Sequence, residues 1–232
     1  MSESPAQPAA RPLSQLTYTR IQEHVDRAET LELITLHGHN QYGRDLAGFA
    51  RAAAPEGHLL GLESYKGVFV GRDIVGYTWF PGPLDRPAPV FFGDALAEIE
   101  RFLWDERGRQ IARGAPVKPF LLGVEQGAIM ALAAALTVPD LLSGVIAIGD
   151  FFPIVPGWDP PLAPLDGLPI LLLESGAMDA SSGANVLTGQ PLDAQLAAWD
   201  ATVTRKRIVA GEIPAREMSS WIAGQPVREF GD

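Results

Sequence analysis

Gly123-Val124-Glu125-Gln126-Gly127 constrains this chain more than any other stretch. Two glycines placed two residues either side of a central position allow a tight strand-to-helix turn, with the central residue strained and its side chain lifted above the sheet edge. The flanks fit that geometry. Pro119 to Val124 reads as a short buried strand, and Gln126 to Leu136, rich in alanine, as a helix packed close against it. Such an elbow usually presents a nucleophilic serine; here the central residue is Glu125.

Apolar runs and amphipathic stretches alternate along the rest of the chain. Strands are expected at Leu31 to Leu36, His58 to Leu62, Gly144 to Ile148, Pro169 to Leu173 and Arg205 to Val209. Helices are expected at Arg44 to Ala53, Asp94 to Arg113, Leu192 to Trp199 and Ala215 to Ala223. This alternation specifies an α/β protein, a mostly parallel central sheet with helices on both faces, and such sheets bind ligands at the carboxyl ends of their strands. The elbow lies at one of those ends. Residues 1–13, rich in Pro, Ala and Ser, are expected to be a disordered tail, and residues 14–232 a single domain. The proline-rich stretch from Pro153 to Pro169 is expected to be a surface excursion between strands.

Composition excludes several classes of function. A formal charge of −10 argues against nucleic acid as a partner, which demands a basic face. No segment approaches the roughly 20 apolar residues needed to span a bilayer, and no signal peptide is evident, so a cytoplasmic location is expected. The absence of cysteine removes thiol catalysis and cysteine metal sites. A metal on His37, His39 and Glu125 is not expected, because two histidines two residues apart and one remote carboxylate fall short of a convergent ligand set. No cofactor is expected.

Several motifs, taken in order, resemble the phospholipase/carboxylesterase family, which includes relatives of the acyl-protein thioesterases. These are Leu36-His37-Gly38-His39-Asn40 with Arg44-Asp45-Leu46, then Gly76-Tyr77-Thr78-Trp79-Phe80-Pro81. Leu122 to Ala135, and Glu212-Ile213 through Glu217 with Trp221-Ile222, complete the set. The resemblance implies the α/β-hydrolase fold and a Ser-Asp-His triad. It places Glu125 at the serine, Asp179 at the acid and Gly211 at the histidine; no histidine follows His58. It also implies oxyanion donors from the backbone at His39 or its neighbour and at Gln126, with His37 bracing the loop and Trp79 on the pocket wall. The other tryptophans are read as packing residues, and Arg205-Lys206-Arg207 as the solvated part of an edge strand.

Loss of the histidine removes the group that takes and returns the proton at neutral pH. Three functions stay open at this stage. One is a non-catalytic relative that binds a small-molecule ligand or a protein, as a homodimer or beside an active paralogue. A second is an enzyme of altered chemistry, with Glu125 as base or nucleophile and His39 as its partner. The third is a weak esterase acting on acyl-type substrates.

Overall fold

The computed structural model describes residues 14–23, 31–149, 152–175, 191–209 and 211–231. Among them a seven-stranded sheet carries the fold. In chain order its strands are β1 (Thr17–Gln22), β2 (Glu32–Leu36), β3 (His58–Glu63), β6 (Phe120–Val124), β7 (Gly144–Ile148), β8 (Pro169–Ser175) and β9 (Thr202–Ile208). The spatial order is β1-β3-β2-β6-β7-β8-β9, and every neighbouring pair is parallel except β1 with β3. A separate antiparallel hairpin joins β4 (Lys66–Val70) to β5 (Asp73–Thr78) through a turn in which Gly71 adopts φ +65.

The apolar runs are continuous because both faces of the sheet are covered, and alternation sorts each strand's residues between two cores. Ile34, Leu36, Leu60, Leu62, Leu121, Val145, Ile170 and Leu172 face a core closed by α2 (Pro89–Ala112), α3 (Gln126–Thr137) and α4 (Leu192–Ala198). Leu33, Leu59, Phe120, Leu122, Ile146, Leu171 and Leu173 face the opposite core, closed by α1 (Ala47–Ala53) and α5 (Ala215–Ala223). The two helices on that side pack on each other.

Several features differ from the sequence reading, among them β9, expected from Arg205 and observed from Thr202. The helix expected from Asp94 begins at Pro89, where the ring presets the first-turn φ, and exposed Val90 and Phe91 hide the amphipathic pattern. The segment expected as one helix from Arg44 is a 3-10 turn over Gly43–Leu46 followed by α1. β1 and the β4–β5 hairpin carry largely exposed or half-exposed residues and so lack an apolar signal. The loop before β8 is more than a surface excursion, since Phe152, Val155, Leu165 and Leu168 are all buried in the larger core. Arg205, Lys206 and Arg207 are exposed on the edge strand β9. The expected tail, residues 1–13, lies outside the described residues.

The tightest constraint in the fold is between α3 and the end of β2. A Cβ on Gly127 would lie 1.9 Å from the Leu36 carbonyl oxygen, and one on Gly123 would lie 2.1 Å from the Gly127 carbonyl oxygen. Both obstacles are backbone, so neither can yield cheaply. Gly127→Ala is therefore expected to lose at least about 3 kcal/mol of stability, at the upper end of overpacking costs, in a urea titration. A loss under about 1 kcal/mol would mean that α3 is free to back away from β2.

Candidate functional site

The elbow forms as its glycines require. Glu125 joins β6 to α3 with φ 52 and ψ −113, a conformation that costs a residue bearing a Cβ about 1–3 kcal/mol. Its N–H donates to the Ile148 carbonyl at 3.2 Å, which ties the turn to β7. The side chain is exposed and makes no capping hydrogen bond to α3. Its Oε2 lies 2.8 Å from where a Cβ on Gly38 would be, so the carboxylate lies over the loop that follows β2.

That loop holds the two histidines in different states. His37 is fully buried and stacks on Trp79 with ring centroids 4.9 Å apart. Its Nδ1–H donates to the Gly38 carbonyl at 2.7 Å, and its Nε2 accepts the Ser64 N–H at 3.1 Å. A neutral ring satisfies both partners. Burial pushes its pKa down to about 4, against a smaller upward pull from the Gly38 carbonyl. His37 is thus a brace. Trp79, also fully buried, donates its indole N–H to the His37 carbonyl at 2.8 Å.

His39 is exposed, with Nδ1 3.1 Å from Thr78 Oγ1. The single Thr78 hydroxyl proton already has two acceptors, the Phe80 carbonyl at 2.9 Å and Gln126 Oε1 at 2.8 Å. The contact is satisfied when His39 donates from Nδ1, which leaves Nε2 as an exposed acceptor. Gln126 is buried, and its side chain locks the loop after β5. Its Oε1 accepts the Trp79 N–H at 3.0 Å, and its Nε2 donates to the Phe80 carbonyl at 2.8 Å.

The structure therefore brings Glu125, His37, His39, Trp79 and Gln126 to one carboxyl end of the sheet. Gly211 follows β9, three strands along the same edge, with φ +83 and open space where a Cβ would point. Asp179 lies outside the described residues. Thr78 and Gln41 were not foreseen as site residues. Gln41 Oε1 accepts the Gly38 N–H at 2.8 Å, and Thr78 links His39 to Gln126. Both belong to the two quoted motifs or adjoin them, which was the available signal. Among the described residues no group of three or more His, Asp or Glu could hold a metal ion, and no helix is long and apolar enough to cross a membrane.

Two measurements test this geometry. Glu125→Gly is expected to raise stability by about 1 kcal/mol, since relief of the positive φ outweighs the added chain entropy of glycine. An unchanged or lower melting temperature would mean that the turn is not strained. For His37 the folded pKa is depressed, so its contribution to stability is present above the unfolded value of about 6.5 and is lost as pH falls toward about 4. Its ring proton signals in an NMR titration should stay flat from pH 8 to about 5; a midpoint near 6.5 would contradict the brace.

No family model matches the sequence, and no curated protein matches it either. Solved structures do. A carboxylesterase from Mesorhizobium loti superposes with a TM-score of 0.67 at 21% identity, covering 86% of this chain and 90% of that one. The Bacillus cereus carboxylesterase gives 0.65 at 18% identity over 90% and 92%, and SOBER1 of Arabidopsis thaliana 0.61 at 19% over 84% and 98%. At these identities the likeness concerns architecture, and the parallel sheet, the elbow at the end of β6 and the helices on both faces agree with it: this chain has the α/β-hydrolase fold.

Proposed function

We propose that this protein is a relative of the carboxylesterases and phospholipases that no longer performs serine-hydrolase chemistry and acts by binding a small-molecule ligand or a protein at the carboxyl edge of its sheet. The observation that carries this reading is Glu125 itself, an exposed carboxylate on the strained residue of the elbow. It supplies no alcohol nucleophile. It also sets a negative charge beside the backbone donors that would have to stabilise an oxyanion, where charge of the wrong sign opposes the transition state. Gly211 at the histidine position and Asp179 at the acid position complete the assignment by resemblance. With no histidine after His58, two members of the triad are missing in this reading, and what removal of triad members leaves is a small residual rate.

A second reading, altered chemistry at the same edge, draws on His39. Its Nδ1 contact with Thr78 leaves Nε2 as an exposed acceptor, the tautomer a general base needs. Among the described residues no ion pair joins His39 to Glu125, so the two would act on a ligand separately.

Hydrolysis of short p-nitrophenyl esters separates the readings. Wild type is expected to be no faster than Glu125→Ala; a wild-type rate a hundredfold higher, about 2.7 kcal/mol of transition-state stabilisation, would make Glu125 catalytic. Loss of that rate in His39→Ala would assign the base. The double variant Glu125→Ser with Gly211→His should gain activity that neither single variant has. The gain should be modest, because a histidine at φ +83 is strained and has no orienting partners. A folded double variant no better than its singles would displace Gly211 or Asp179 from the assigned positions.

A further inference from the structure

The amino-terminal edge of the sheet, opposite Glu125, holds a group that the site does not use. Glu32, the first residue of β2, is fully buried, and among the described residues neither of its carboxyl oxygens has a hydrogen-bond partner. Its register partner on β3 is His58, partly buried. The last turns of α2 supply Glu106 and Arg109, and the residue that caps it is Arg113; all three charges act on Glu32. Arg20 of β1 and the neighbouring Glu23 act on His58. Glu106 is only 2% exposed; it accepts from Arg109 Nε at 2.7 Å and from Gln110 Nε2 at 3.4 Å. The guanidinium of Arg109 lies over the rings of Phe102 and Tyr18, and its Nη2 is buried without a partner.

Of the two buried carboxyl groups, Glu106 holds the Arg109 guanidinium, and neither Arg109 nor Arg113 gives Glu32 a hydrogen bond. An ionised Glu32 would have no donor in a medium that solvates charge poorly, with a like charge nearby. A protonated Glu32 avoids both penalties. If its proton leaves, the buried donor of the cluster that has no partner among the described residues is Arg109 Nη2, Arg113 being exposed. Reaching it means drawing the guanidinium away from Glu106 and from the rings it covers, which couples the last turns of α2 to the starts of β2 and β3.

We propose that Glu32 and Glu106 form a proton-operated latch at this edge, closed while Glu32 holds its proton and opened when that proton is lost. Burial first, and then Glu106, hold the Glu32 carboxyl well above the usual range, with Arg113 and Arg109 pulling the other way. The folded pKa is raised, so the stability that Glu32 contributes is fully present below the unfolded value of about 4.3 and is lost as pH rises through the folded one. His58 has the opposite sign. Burial and then Arg113 lower its pKa, so its contribution is lost as pH falls. Comparison of wild type with a single variant isolates Glu32 from it.

The test uses the full chain. Denatured at about pH 7 in weak buffer with an indicator dye, wild type should release close to one proton per chain more than Glu32→Gln. The folding equilibrium constant of Glu32→Gln should exceed that of wild type by a factor that grows with pH, reaching tenfold or more at neutrality, the equivalent of one unit of pKa. At the same pH, amide exchange at the start of β2, the start of β3 and the last turn of α2 should be faster in wild type than in Glu32→Gln. Equal proton release with parallel stability curves overturns the proposal, as does unchanged exchange at those amides. Should Glu32→Gln fail to fold, Glu106→Gln decides: removing the like charge must shrink the proton release and the pH slope, and values identical to wild type overturn the latch.

Discussion

The site depends on a contact between two stretches of backbone. Gly127 at the start of α3 presses so closely on the Leu36 carbonyl that no side chain can intervene, and Gly123 closes on Gly127 from the strand side. Together they fix where β6 must turn, and the residue between them takes a positive φ whatever its side chain. The same contact brings the loop after β2 against the elbow. His37 and Trp79 then lock that loop from below, and the buried Gln126 side chain holds the loop after β5 through its bonds to Thr78, Trp79 and Phe80. A strained geometry of this kind persists only where its surroundings over-determine it.

The frame is therefore separable from the chemistry it presents. Its members are backbone atoms and fully buried side chains whose polar groups are paired. Glu125 and His39, by contrast, are exposed and carry little of the packing. The glutamate at this elbow is compatible with the turn, the sheet and both cores. Such a frame is what a chain can share with carboxylesterases at about one identical residue in five. Fold likeness reports on the frame, and function has to be argued from the exposed groups.

Sequence was informative where burial is two-sided and poor where it is partial. β7 and α5 match their expected bounds, and β2, β3, β6 and α3 fall within a residue or so, because strands buried on both faces and the nearly all-buried α3 leave continuous apolar runs, and α5 a periodic one. β1 and the β4–β5 hairpin left none, since their exposed positions break the pattern. At the site, the glycine spacing exposed the elbow, whereas nothing in His37-Gly38-His39 says which histidine is buried. That distinction comes from Trp79 and Ser64, which reach His37 from 27 residues or more along the chain. The solvent exposure of Glu125 was equally invisible, because it depends on how far the neighbouring loops lean over the elbow.

One central strand connects these observations. β2 begins at Glu32 and runs into His37 at its far end, and both side chains are fully buried. Burial drives the two in opposite directions, the carboxyl toward keeping its proton and the imidazole toward losing one, so each approaches its neutral form. The strand thereby crosses the core without a net charge at either end. The difference lies in partners. His37 has an acceptor and a donor matched to its two nitrogens, which makes neutrality stable and the residue a brace for the loop beside Glu125. Among the described residues Glu32 has neither, so its neutrality rests on its proton alone.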